Sequence, residues 1–83
     1  MNGYDYVLTA AAAHVVLGSA KKLRQEILAE LDCLAREPFA EPDLVETGAS
    51  GRRYSIRVRE QIVLTYWVDH AVKEVRVIRV EIC

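Results

Sequence analysis

The sequence predicts an α+β fold in the order β-α-α-β-β-β, with a helical hairpin packed on a mainly antiparallel four-stranded sheet. Three observations predict it. Residues 53–82 are dominated by strand-type residues in three runs separated by short turns. Residues 19–36 place their leucines and isoleucine at helical spacing. An alanine-rich run lies between a first strand pattern and that helix.

At 83 residues the chain has the length of one small domain, so residues 1–83 are taken as a single unit. The 52% of hydrophobic residues are enough for a core, and the 28% of charged residues are spread along the chain rather than gathered in a tail.

Tyr4–Leu8 alternates Tyr4, Tyr6 and Leu8 with Asp5 and Val7, as a short strand does. Thr9 offers a hydroxyl to cap a following helix. Ala10–Leu17 favours helix through its alanines, and Gly18 is placed to end it. A second helix is expected from Ser19 as N-cap. Its apolar stripe is Leu23, Ile27, Leu31 and Leu34, flanked by Leu28 and Ala35, and Arg24, Glu26, Glu30 and Arg36 take the opposite face. Pro38 closes it by disfavouring helical geometry in Glu37. The tight Gly18-Ser19 connection makes the pair an αα-hairpin.

Phe39–Gly51 contains Pro42, Gly48 and Gly51 and has no period, which predicts one substantial loop anchored to the core by Leu44 and Val45. In the next strand Tyr54, Ile56 and Val58 alternate with Ser55, Arg57 and Arg59, the pattern of a sheet with one wet face. Ile62–Val68 is apolar at nearly every position and reads as a central strand covered on both faces, with Asp69-His70-Ala71 as the turn after it. Glu74–Ile82 forms the last strand, and the adjacent Val77 and Ile78 break its alternation, as either a β-bulge or a strand buried on both sides at its middle does.

Composition narrows the function. A net charge of −1 argues against a general nucleic-acid binder, which needs surplus cations. Residues 1–46 hold eight acids against four Lys/Arg, and residues 47–83 hold four against seven, so the strand half carries the basic surplus. No apolar run approaches the roughly 20 residues of a membrane span, and Met-Asn-Gly-Tyr-Asp lacks a basic leader region; the chain is read as cytosolic, with no membrane association. Cys33 and Cys83 form neither a disulfide framework nor a metal set and are read as free thiols. Gly48-Ala-Ser-Gly51 lacks the lysine of a phosphate loop. His14, read as a partly buried helix residue, and His70, a turn residue, have no ligands at metal spacing, so no metal and no cofactor are expected. Ser55 and Cys33 have no evident base as nucleophiles.

The arginines remain. Arg57 and Arg59 share a strand face, Arg76 lies on a neighbouring strand, and Arg79 joins that face only across a bulge. Arg52 and Arg53 stand before them. Guanidinium groups grip phosphate in two-pronged fashion, so the face bearing Arg52, Arg53, Arg57, Arg59 and Arg76 is a candidate contact for RNA or for an acidic segment of a partner protein. The alternative is a solvated face in which Glu60, Glu74 and Glu81 pair some of the arginines. Tyr54, Tyr66 and Trp67 fit base stacking or, more simply, cross-strand packing.

In this order, Tyr4-Asp-Tyr-Val-Leu-Thr9, the helix end Leu34-Ala-Arg-Glu-Pro38, and Arg53-Tyr-Ser-Ile-Arg-Val58 leading into Ile62–Asp69 and Val75–Val80 resemble the RelE/ParE superfamily of type II toxin–antitoxin toxins. The resemblance implies a RelE-like fold and a toxin held in check by a cognate antitoxin. RelE-like members cleave mRNA on the ribosome without metal, and ParE-like members inhibit DNA gyrase. In the RNA-cleaving members, basic residues on the strand after the loop, an Arg on the next strand, and a C-terminal Arg with a following Tyr surround the scissile phosphate. Here Arg57 matches one basic position, Ser55 stands at its neighbour, Val63 aligns with the next-strand Arg, and Cys83 ends the sequence about where the C-terminal Arg stands. The resemblance thus implies either a ribosome-dependent mRNA endoribonuclease with Arg57 at its phosphate, or a non-catalytic binding module on the same fold. A homodimer formed through the edge of the meander is a third reading.

Overall fold

The computed structural model describes residues 3–83. Its elements are β1 (Asp5–Leu8), α1 (Ala10–Gly18), α2 (Lys21–Arg36), β2 (Leu44–Thr47), β3 (Arg53–Arg59), β4 (Ile62–Asp69) and β5 (Glu74–Ile82). The strands form one sheet in the order β1-β5-β4-β3-β2. β1 lies parallel to β5, and the other three pairings are antiparallel.

The α+β class and the hairpin-on-sheet arrangement are those expected, but the sheet has five strands rather than four. The additional strand, β2, lies within the segment expected to be a loop. It pairs Leu44 with Ile56 and Thr47 with Arg53 along the edge of β3. Leu44 is 58% exposed and Val45 50%, so neither anchors the segment to the core. A four-residue edge strand whose apolar residues both meet solvent has no alternation to betray it.

Helix formation follows the residues closely. The Thr9 hydroxyl accepts the Ala12 N–H at 3.2 Å and donates to the Ile78 carbonyl at 3.0 Å, tying the start of α1 to β5. Ser19 serves the end of α1 instead of the start of α2. Its backbone N–H bonds to the Val16 carbonyl and its hydroxyl donates to the Val15 carbonyl at 2.7 Å. α2 begins at an Ala20 N-cap with no side-chain hydrogen bond, so packing sustains it. Its stripe does bury Ile27, Leu31 and Leu34.

These side chains meet Ala12 and Val16 of α1, Ile62, Leu64 and Tyr66 of β4, and Val75, Val77 and Val80 of β5 in one core. The helices therefore cover β1, β5 and β4 on one face. No element covers the opposite face among the described residues, so β4 is not enclosed on both sides as its composition suggested. Thr65 is nonetheless buried there, a short side chain between larger neighbours. His14 is exposed, on the outer side of α1. No helix among the described residues is long and apolar enough to cross a membrane.

Of the two readings of the Val77-Ile78 phase break, a bulge or a strand buried on both sides at its middle, the bulge is the one present. Thr65 pairs with Arg79 and Tyr66 with Val77, leaving Ile78 without an opposite residue. The extra residue restores the phase, so Val77 and Val80 both enter the core while Arg76 and Arg79 both face the uncovered side.

Candidate functional site

Register decides where the arginines point. Arg57 pairs with Leu64 and Arg59 with Ile62, and both partners belong to the core. Ser55, Arg57 and Arg59 therefore lie on the helix-covered face, while Tyr54, Ile56 and Val58 lie on the open one. This reverses the wet-face reading of β3. The alternation correctly groups the residues, but β3 runs along the margin of the helices' footprint, where long arginine side chains can reach out from under α2.

Arg57 uses this position. Its Nε donates to Glu30 Oε1 at 2.9 Å, with the two side chains only 13% and 24% exposed. Burial holds the neighbouring Tyr66 hydroxyl above its usual range, against the opposing influence of the Arg57 charge. A phosphate reaching Arg57 has to displace Glu30 from a partly buried, charge-assisted bond, at a cost of about 1.5–3 kcal/mol. Arg59 donates to Asp43 Oδ2 at 3.0 Å, and the same oxygen accepts the Val58 N–H at 2.8 Å. The two arginines expected to point together do so, each with a carboxylate against it.

Arg76 and Arg79 occupy the open face. Arg76 donates to Glu74 at 2.8 Å and lies 3.9 Å from Asp69. Arg79 contacts Glu46 at 3.3 Å and Glu81 at 3.5 Å. Glu74 and Glu81 thus pair as expected, whereas Glu60 makes no ion pair among the described residues. Arg76 and Arg57 are on opposite faces, and the candidate set does not converge on one point.

Arg52 sits 4.0 Å above the centre of the Trp67 ring, and Arg76 lies 5.8 Å from it. Trp67, Arg76, Glu74, Val7, Thr9 and Ile78 line a shallow depression of about 410 Å3 at the β1–β5 end of the open face. Arg53 is exposed, at the mouth of the β2–β3 hairpin. Of the aromatics weighed for stacking, Tyr66 is core and Trp67 is engaged by guanidinium groups. Among the described residues, no three or more His, Cys, Asp or Glu side chains come together at metal-binding distance. His70 is an exposed turn residue, but its ring stacks on Phe39 at 4.9 Å, and its Nδ1 lies 2.8 Å from the Tyr4 hydroxyl.

No family model matches the sequence, and no curated protein matches it. Solved structures do. A chain of the toxin–antitoxin complex RelBE2 from Mycobacterium tuberculosis superposes with a TM-score of 0.75 at 19% identity, over 96% of this chain and 98% of that one. A chain of the intact E. coli RelBE toxin–antitoxin complex superposes with a TM-score of 0.68 at 17% identity, over 98% of each. The chain has the RelE-type fold.

Ser55, the expected neighbour of a basic position, lies on the helix-covered face beside Arg57, and Val63, expected to align with an arginine of the next strand, lies on the open face opposite Val58. Cys83 follows β5 and donates its N–H to the Gln61 carbonyl at 2.9 Å. Sequence reasoning missed Glu30 and Asp43 as arginine partners. Glu30 stands among the polar residues of α2, and only the approach of α2 to the margin of its footprint beside β3 brings it against Arg57. Asp43 lies in the segment read as a loop.

Proposed function

We propose that the chain is the toxin component of a type II toxin–antitoxin pair, acting in the cytosol through protein binding rather than through RNA cleavage. The observation that carries the toxin reading is the full-length superposition on chains of two toxin–antitoxin complexes. The preference for binding follows from the arginines. Arg57, the best-matched phosphate contact, is engaged by Glu30, and Arg59, Arg76 and Arg79 are each held by carboxylates. General acid–base or phosphate chemistry needs side chains converging within hydrogen-bond reach of one reacting group, and these lie on two faces of the sheet.

Expression from an inducible promoter in a bacterial host is expected to arrest growth, and co-expression of the protein encoded beside it is expected to restore growth. Purified protein added to translating ribosomes is expected to leave mRNA uncut. Unimpaired growth with confirmed intact expression refutes the toxin reading, and ribosome-dependent cleavage refutes the preference for binding. A gyrase supercoiling assay in parallel tests DNA gyrase as target. The cleavage reading draws support from one observation: Arg52 has no carboxylate partner among the described residues and stands over Trp67, the cation-and-aromatic pairing that single-stranded nucleic acid uses.

A further inference from the structure

The contact between Arg57 and Glu30 has a form that a purely structural ion pair does not need. Arg57 donates from Nε alone, to one oxygen of Glu30 at 2.9 Å. A guanidinium holds a carboxylate best through two parallel bonds, so Glu30 makes half of the available grip. No buried side-chain nitrogen or oxygen lacks a partner among the described residues, so the terminal nitrogens of Arg57 reach water. Glu30 and Arg59 line a depression of about 160 Å3 beside the β3–β4 turn, as do the exposed Glu26 and Glu60. That is several times the roughly 30 Å3 that a water molecule takes up, and it gives room for a small oxyanion. No residue of β3 belongs to the buried core, so α2 is fixed by its packing with α1, β4 and β5 and not by Arg57. The pair can open while the core stays closed.

We propose that Glu30 is an intramolecular competitor for an oxyanion site on Arg57, its carboxylate standing where one oxygen of a phosphate binds and giving way to that phosphate. The Glu30 oxygen on Nε marks the first contact, and the terminal nitrogens supply the second bond that Glu30 does not make. A two-pronged ligand therefore exchanges one bond for two. Arg59 lines the same depression and brings a second cation, while Asp43 already engages its Oδ2 with the Val58 N–H and Arg59. A carboxylate attached to the same molecule acts at an effective concentration of the order of millimolar, so the closed pair excludes dilute or weakly bound anions. Glu30 thus sets a threshold for occupation of Arg57. The inference goes beyond the toxin reading and stands on this geometry alone.

Inorganic phosphate and dimethyl phosphate are titrated separately into the purified chain while the Arg57 Nε–H resonance is followed by NMR. Wild type is expected to respond weakly. Glu30→Gln keeps the arm and an oxygen acceptor but removes the charge. It is expected to bind phosphate about ten-fold or more tightly than wild type, the factor that one charge-assisted hydrogen bond supplies. A gain with inorganic phosphate alone identifies a free or terminal phosphate as the ligand, and a gain with both extends it to a backbone phosphodiester; either supports the proposal. Glu30→Gln combined with Arg57→Gln is expected to abolish the gain. Glu26→Gln removes the same charge one turn earlier on α2, at an exposed position, and is expected to leave affinity nearly unchanged because solvent screens it. Thermal melting checks that each variant folds, and Glu30→Asp, with the charge on a shorter arm, is expected to give an intermediate gain even if the glutamine variant melts early. Equal phosphate affinity in wild type and both Glu30 variants overturns the proposal and leaves Glu30 as a tether alone. A gain that survives Arg57→Gln, or that appears equally in Glu26→Gln, overturns it as a general effect of charge. Growth arrest is measured separately, so failure of the toxin reading leaves this outcome untouched.

Discussion

Asp43 joins two elements through one carboxylate oxygen. The Val58 N–H and, secondarily, the Arg59 guanidinium hold its carboxyl below the ordinary value of 3.8. A lowered folded-state value means that the unfolded chain binds the proton more readily. The stabilisation is therefore complete above that ordinary value and is lost as pH falls through the lower folded one. Asp43→Asn keeps an oxygen to accept the Val58 N–H and removes the charge. The stability advantage of wild type over this variant, from urea midpoints, is expected to hold near pH 6 and shrink steadily below about pH 4. A gap that stays constant down to the acid limit contradicts the assignment. Arg57 shows the same logic in a drier place, where Glu30 turns a candidate ligand contact into a tether between α2 and β3. The identity of Arg57 was visible in the strand alternation. Its occupation was not, because Glu30 lies twenty-seven residues away in sequence and only the helix's crossing brings the two together.

At the scale of elements, β3 and β4 turn through Glu60 and Gln61, and Glu60 takes a φ of 53°. A side chain in this left-handed region crowds the backbone at a cost of about 1–2 kcal/mol, which glycine avoids. Glu60 is exposed and makes no ion pair among the described residues, so little offsets that strain. Glu60→Gly is expected to raise stability by about 0.5–1 kcal/mol after the entropy glycine adds to the unfolded chain, measured as a higher denaturation midpoint. Unchanged or lowered stability shows the turn to be unstrained. The elements with strong periods were the legible ones: the α2 stripe, the three meander strands, and the bulge signalled by Val77-Ile78. β2 stayed hidden, because Leu44 and Val45 lie on opposite faces of a strand too short for its period to stand out. The facing of β3 was hidden for another reason. Period two assigns residues to common faces, and only tertiary packing says which face the helices cover.

For the molecule as a whole, sheet order grades stability. β4 and β5 each have strands on both sides and supply most of the core, whereas β2 hangs on β3 alone with its apolar residues in water. Amide hydrogen exchange is expected to be slowest in β4 and β5 and at least about ten-fold faster in β2, whose opening needs no disruption of the core. Equal protection across the sheet contradicts this grading. The parallel seam between β1 and β5 has its own consequence. β1 has only β5 as a strand neighbour, and Asp5 pairs with Glu74 near the other end of the sequence. During synthesis β1 precedes its strand partner by the helical hairpin and the rest of the meander, and α1 and α2 have no finished surface to lie on until β4 and β5 emerge. The domain therefore cannot close until β5 has been made, and the seating of β1 and the two helices is a late and concerted step of folding.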